Sequence, residues 1–179
     1  MTIFAGCDVG SLTAKAIIMK RGKIIGASII KSRPRPQDSA DAVLAEALAA
    51  AGISPGDLAY SIGTGYGREK IGFVDEAISE ITCHGRGARW LMPSAQTVID
   101  IGGQDCKTMK IDADGRVTRF TANDKCASGT GRFLEVMADV LGVDIGELGR
   151  FTAKSKSPIT LAATCTVWAQ ADVIKQLNS

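Results

Sequence analysis

The chain has 179 residues, 45% of them apolar, so it can bury a core as one domain or as two small lobes. With a formal net charge of +2, the chain lacks the strong basic excess that is typical of nucleic-acid-binding proteins, and we expect no nucleic-acid partner. The sequence has no apolar run long enough for a transmembrane helix and no signal-peptide pattern at its start, which predicts a cytoplasmic protein without membrane association.

The first half predicts an α/β arrangement. Three strands are expected, followed by a Pro-containing loop at 32–37; the strands lie at 3–9, 14–20 and 23–30. Apolar residues then recur at helical spacing from Ala40 to Ala51, and Gly52 ends that helix. A further strand is expected at 57–63 and a helix at 76–91.

The pattern restarts in the second half. Strands are predicted at 96–101, 106–111 and 117–121, and helices at 133–141 and from about Thr166 onwards. Asp8 and Asp100 lie at the ends of the two first strands, and a glycine follows each. The hairpin glycines Gly22 and Gly115 follow at nearly the same distance, which predicts two duplicated lobes, 1–94 and 95–179, facing one cleft.

The two Asp-Gly turns predict phosphate binding. Glycine lets backbone N–H groups approach phosphate oxygens, and an acid at a strand end can hold Mg²⁺ through water. The predicted cofactor-binding residues for ATP or ADP are Gly10, Ser11, Leu12, Thr13, Ala14, Lys15, Gly102, Gly103 and Gln104. The predicted catalytic residues are Asp8, Asp100, Gln104 and Asp105, with Gln104 as a candidate to orient an attacking water.

A plainer interpretation is that the Asp-Gly pairs only form turns, and their occurrence at equivalent positions of a repeat argues against it. Other nucleotide-binding motifs do not fit. The sequence lacks a G-x-x-x-x-G-K-[ST] loop, and the glycine cluster at Gly63–Gly67 fails the dinucleotide pattern because Arg68 stands at the third glycine position.

Five cysteines are dispersed along the chain without a CxxC pair: Cys7, Cys83, Cys106, Cys126 and Cys165. An odd, dispersed set argues against a disulfide framework. Cys126 and Cys165 each precede a predicted helix, whose free N–H groups and partial positive charge favour a thiolate. Two such thiolates from each of two subunits could complete a four-thiolate metal site, whereas residue types alone also allow two unrelated thiols.

With these turns and cysteines, the chain resembles the activators of 2-hydroxyacyl-CoA dehydratases, in the wider family that includes the benzoyl-CoA reductase ATPase subunits. The resemblance covers nearly the whole chain, and its matching segments are 6–11, 64–68, 79–84, 98–105, 123–137 and 164–167. It implies an actin-like ATPase fold, as in acetate and sugar kinases, heat-shock chaperones and actin, with two duplicated lobes of which the second is truncated.

The resemblance also implies a function. It implies a homodimer that holds one [4Fe-4S] cluster between its subunits, with Cys126 and Cys165 as the ligands. A ferredoxin or flavodoxin would supply the electron, and ATP binding and hydrolysis would drive its transfer to a dehydratase or acyl-CoA reductase component. Alternatives are a small-molecule kinase on the same fold and a non-catalytic nucleotide-binding assembly module.

Two features depart from the family pattern. The family reads Cys-Thr-Val-Phe-Ala-Glu around the second ligand, whereas this chain has Trp168 and Gln170 at the fourth and sixth of those positions. Family members also continue past the position of Ser179 with the rest of the second lobe. The sequence therefore predicts a fragment or a truncated gene product that retains the phosphate contacts and lacks the adenine pocket.

Overall fold

The structure is a computed structural model that describes residues 2–123, 129–162 and 164–178. Its chain divides into two compact units, Met1–Gln96 with Ile111–Thr118, and Thr97–Lys110 with Arg119–Ser179. The predicted lobes, 1–94 and 95–179, stay a prediction. Within the described ranges, none of the helices has the length and apolar character needed to cross a membrane.

The first unit is built on a five-stranded sheet with the order β3-β2-β1-β4-β5. Its strands are β1 (Ile3–Val9), β2 (Thr13–Lys20), β3 (Lys23–Lys31), β4 (Tyr60–Thr64) and β5 (Glu76–Ala77). β1 to β3 pair as an antiparallel meander, and β4 pairs parallel with both β1 and β5. The carboxyl ends of β1 and β4 therefore meet at one edge of the sheet.

Helix α1 (Pro36–Ala51) covers one face of this sheet. Its buried side chains are spaced at helical intervals, and they pack on the alternate residues of β1 that point inward, Cys7 and Val9 among them. The helix begins at Pro36, earlier than predicted, because a proline at the first helical position loses no hydrogen bond. Gly52 ends it as predicted, with a φ of 66° that favours glycine.

Helix α2 (Glu80–Leu91) is shorter than predicted, since residues 76 and 77 form strand β5 instead. Ser79 caps the helix, and its side-chain oxygen accepts a hydrogen bond from the Ile81 N–H at 3.3 Å. The predicted strand at 57–63 is also shorter, because Asp57 ends a short 3-10 helix and binds the Ser54 N–H with its carboxylate.

A three-stranded sheet has the order β6-β7-β8, with the strands Thr97–Ile101, Cys106–Ile111 and Val117–Ala122, and most of its residues belong to the second unit. Three helices follow: α3 (Gly131–Leu141), α4 (Leu148–Lys154) and α5 (Thr166–Leu177). Met137 of α3 packs with Ala169 and Val173 of α5 in a small apolar core. Helix α4 was not predicted, because its seven exposed or half-exposed residues lack a helical apolar stripe.

Candidate nucleotide-binding site

The first predicted turn connects β1 to β2. Asp8 and Lys15 face each other in the ladder, and the Lys15 Nζ lies 3.0 Å from an Asp8 carboxylate oxygen. The turn is closed by the Gly10 N–H, which donates to the Thr13 carbonyl oxygen at 3.0 Å. An acid and a cation thus lie at the mouth of a tight glycine turn, as the sequence predicts.

A pocket of about 420 Å³ opens beside this turn within the first unit. Its wall includes Gly10 and the exposed Ser11, with Arg33 and Tyr66 among the other lining residues. Leu12 and Thr13 are half-buried, whereas the Ala14 side chain is fully buried in the core. Of the predicted residues in this segment, Ala14 can therefore offer a ligand only its main chain.

The second predicted turn connects β6 to β7 with the same local geometry. The Gly102 N–H donates to the Asp105 carbonyl oxygen at 2.8 Å, as Gly10 does to Thr13. The Asp105 carboxylate lies over Gly102 so closely that a Cβ on the glycine would be 2.2 Å from its Oδ1 atom. A side chain at position 102 would therefore displace the Asp105 carboxylate from the main chain of the turn, while Gln104 is exposed.

Lys107 belongs to this second turn and was missed in the sequence interpretation. It faces Asp100 in the β6–β7 ladder, just as Lys15 faces Asp8, and its Nζ lies 3.9 Å from Asp100 and 2.5 Å from Asp105. The signal was present, because Lys107 follows Asp100 at the spacing at which Lys15 follows Asp8. The lysines differ in exposure: 39% of the Lys15 side chain is exposed, and 8% of the Lys107 side chain.

The start of α3 is attached to the second turn. The Gly131 N–H donates to the Gly102 carbonyl at 2.8 Å, and the Arg132 N–H donates to the Gly103 carbonyl at 3.0 Å. The Thr130 side chain, almost fully buried, caps the helix by accepting from the Phe133 N–H. The glycine turn and the first residues of α3 therefore form one hydrogen-bonded unit.

Of the two predicted cluster ligands, Cys126 lies outside the described residues. Cys165 is a free, half-buried thiol at the N-cap of α5, so the prediction that it precedes a helix is confirmed. The structure also places Cys83 in α2 and Cys106 at the start of β7. In the ranges that the structure covers, no group of three or more His, Cys, Asp or Glu side chains is arranged to hold a metal ion.

Cys7 is a core residue, as its place in an apolar strand predicts. Burial raises the pKa of its thiol to about 12, and the nearby carboxylates of Asp8 and Asp41 add to the shift. A thiol held in its neutral form is a poor nucleophile and a poor metal ligand. Its role is therefore packing in the core beside Asp8.

Each turn, taken by itself, has features that suit a magnesium-bound polyphosphate. Each combines a tight glycine turn with a carboxylate that can hold a hydrated cation and a lysine that offsets negative charge. The pocket beside Gly10 supplies room for phosphate groups within the first unit. The chemistry that such parts provide is positioning and charge stabilisation of a phosphoryl group.

Comparison with known proteins gives consistent matches. The sequence profile described as the BadF/BadG/BcrA/BcrD ATPase family matches residues 5–179. A curated relative, the 2-hydroxyisocaproyl-CoA dehydratase activator of Clostridioides difficile, is 42% identical over 97% of this chain and 65% of its own length.

Two solved structures are similar as well. Component A of the (R)-2-hydroxyglutaryl-CoA dehydratase of Acidaminococcus fermentans matches with a TM-score of 0.88 at 40% identity, over 99% of this chain and 69% of that one. The activator of the 2-hydroxyisocaproyl-CoA dehydratase of Clostridium difficile, solved with bound ADPNP, matches with a TM-score of 0.87 at 40% identity, over 99% and 66%. The chain thus spans about two thirds of the length of these relatives, and the predicted actin-like ATPase fold is confirmed.

Proposed function

Since the chain belongs to the BadF/BadG/BcrA/BcrD ATPase family, we propose that it is an ATP-hydrolysing activator that delivers electrons to an acyl-CoA dehydratase or reductase. The observation that carries the proposal is the pair of matched turns, in which Asp8 and Lys15 correspond to Asp100 and Lys107 in strand register. One such turn could be a simple strand connection, whereas the repetition of the same acid, glycine and lysine in a second turn supports phosphate binding.

In this proposal the nucleotide phosphates lie against the main chain of the two turns, at Gly10 and at Gly102 and Gly103. Lys15 is exposed enough to leave Asp8 and reach a phosphate oxygen, whereas Asp8 and Asp100 hold hydrated Mg²⁺. Gln104 and Asp105, on the exposed part of the second turn, orient and polarise the water that attacks the terminal phosphoryl group. The relative solved with ADPNP supports nucleotide binding at this fold.

The proposed iron site joins two subunits. Cys126 and Cys165 of each protomer would together supply the four thiolates of one [4Fe-4S] cluster at a two-fold axis. When bound, the cluster supplies one-electron chemistry. The described half of this ligand set fits, because Cys165 is a free, half-buried thiol at the N-cap of α5.

The partners follow from this assignment. A ferredoxin or flavodoxin is proposed as the electron donor. The acceptor is proposed to be the dehydratase or acyl-CoA reductase component, which binds the acyl-CoA itself. Relatives named as activators of 2-hydroxyisocaproyl-CoA, lactoyl-CoA and (R)-2-hydroxyglutaryl-CoA dehydratases support a dehydratase partner. We propose in addition that the protein acts in the cytoplasm, in anaerobic metabolism.

Anaerobic purification tests the proposal. The protein should be a brown dimer with about four irons per dimer, and it should hydrolyse ATP. The matched control is Cys83→Ala, which removes a thiol of α2 and should keep the iron. Colourless protein after iron and sulfide reconstitution, with both proposed ligand cysteines intact, would overturn the iron assignment. Iron-free protein that consumes ATP only with a hydroxyl-bearing acceptor would support a kinase instead.

A further inference from the structure

Thr64 lies beside the first phosphate turn and has no role in the site as described so far. It is the last residue of β4, and it faces Asp8 in the parallel ladder between β4 and β1. The carboxyl ends of neighbouring parallel strands form the edge at which open α/β sheets bind their ligands. Thr64 is therefore at the place in the first unit where a ligand of Asp8 would be expected.

The Thr64 side chain shares a face with the Asp8 carboxylate. Residues that face each other in a ladder point to the same side of the sheet, and on β1 that side is opposite Cys7 and Val9, which pack on α1. Lys15 is on this side too, as the partner of Asp8 on β2. A hydroxyl, a carboxylate and an ammonium group thus follow one another across three adjacent strands.

The main chain that follows Thr64 is fixed against the phosphate turn. The Gly67 N–H donates to the Val9 carbonyl at 2.9 Å. The Arg68 guanidinium donates to the Gly65 carbonyl at 3.0 Å and to a Glu80 carboxylate oxygen at 3.2 Å. The main chain that carries Thr64 is therefore positioned beside Asp8 by hydrogen bonds within the protein, without a ligand.

Gly65 makes this close approach possible. Its φ of 85° is in the region that favours glycine, and a Cβ there would lie 2.2 Å from Asp8 Oδ1. Thr64 is thus held next to the acid of the phosphate turn by a backbone that only glycine can adopt.

The Thr64 hydroxyl is buried and unsatisfied. The residue is 8% exposed, and among the described residues its Oγ1 atom has no hydrogen-bond partner. A buried hydroxyl without a partner destabilises a folded protein, and valine would fill the same volume without that cost. We propose that the partner is the ligand: Thr64 binds the magnesium-bound nucleotide at the first turn, donating to a phosphate oxygen or binding a water of the hydrated Mg²⁺.

The proposal rests on the proposed nucleotide binding, and the experiment separates the two. MgADP affinity is measured by isothermal titration calorimetry for the parent chain, Thr64→Val and Thr64→Ser, and thermal unfolding without nucleotide is measured for all three. Thr64→Val should weaken MgADP binding about tenfold, as expected for the loss of a hydrogen bond to a charged group. It should unfold at the parent temperature or above, because it removes the unsatisfied hydroxyl.

Thr64→Ser is the matched control. It keeps the hydroxyl and loses a buried methyl, so it should bind MgADP like the parent and unfold at a lower temperature. Titrations of ADP in EDTA identify the contact. If Thr64→Val weakens the affinity for MgADP alone, the hydroxyl binds a water on the metal. If it also weakens the affinity for ADP in EDTA, the hydroxyl donates to a phosphate oxygen.

Unchanged MgADP affinity in Thr64→Val, with the parent chain binding, overturns this inference and leaves the proposed function standing. A parent chain that binds no MgADP overturns the nucleotide site and this inference together.

Discussion

Lys107→Met tests whether the second turn contains a buried counter-ion. The Lys107 Nζ lies between two carboxylates, 2.5 Å from Asp105 and 3.9 Å from Asp100, and 8% of its side chain is exposed. Methionine keeps most of the buried hydrocarbon and removes the charge. The substitution therefore isolates the electrostatic contribution and leaves two acids close together without their cation.

The expected cost follows from burial. Breaking a fully buried ion pair costs about 3–5 kcal/mol, because the remaining charge has lost its partner. Asp105 is 49% exposed and can regain water, which reduces the penalty. We therefore expect Lys107→Met to lower the free energy of unfolding by about 2–3 kcal/mol.

The chain contains its own matched control. Lys15→Met removes the equivalent lysine of the first turn, whose side chain is 39% exposed at 3.0 Å from Asp8, and should cost about 1 kcal/mol or less. Urea unfolding followed by circular dichroism gives both values. Adding Asp105→Asn to Lys107→Met should restore part of the lost stability, because one uncompensated acid is removed. Equal costs at Lys107 and Lys15, or further loss in the double variant, would refute the reasoning.

Three further predictions concern separate parts of the chain. Cys165→Ala should abolish iron binding and leave MgADP affinity within about twofold, whereas Asp8→Ala should keep the iron and weaken MgADP binding about tenfold or more. Hydrogen bonds from the Ser61 hydroxyl and N–H lower the pKa of Asp75, so Asp75→Asn should destabilise the protein at neutral pH, with the difference shrinking below about pH 4. Cys7, with its pKa raised to about 12 by burial, should resist iodoacetamide at pH 8 in the folded protein and react after unfolding, as measured by mass spectrometry.

Each of these predictions has a result that contradicts it. Parallel loss of iron and nucleotide in either the Cys165 or the Asp8 variant would show that the two sites are not separable. For Asp75, the sign is fixed: a carboxyl with a lowered pKa stabilises the folded state above its unfolded pKa, and the gain disappears as the pH falls through the folded value. A stability difference that is constant with pH would contradict it. Rapid labelling of Cys7 in the folded protein would show that its strand opens.

Sequence reasoning located most of the regular elements because their signals are local. The strands at 3–9 and 106–111 have the bounds that were predicted, since both are bounded by turn residues. Helix α2 was predicted too long, because residues 76 and 77 have no strand pattern of their own. These two residues are extended because they pair with β4, where Ile62 faces Glu76. Such pairing is a tertiary effect that the local sequence does not encode.

The candidate site was only partly predictable. Asp8, Lys15 and the glycines could be identified because turn chemistry is visible in the sequence. Lys107 could have been found from its position in the repeat, but its burial could not, since a lysine on a strand normally faces solvent. Thr64 lies in segment 64–68, which resembles the family, but its residue type and position do not indicate a role in the site. Its importance depends on the register that places it beside Asp8 and on an unsatisfied hydroxyl, which only coordinates reveal.

The hydrogen bonds around the second turn have a mechanical consequence. Asn123 exchanges hydrogen bonds with the main chain of Cys106 at one end of the turn, and the Gly131 N–H binds the Gly102 carbonyl at the other end. Cys126 lies in sequence between Asn123 and Gly131. A displacement of the turn is therefore imposed on both flanks of that cysteine at once, which under the proposed function would couple a change at the phosphates to the proposed iron ligand.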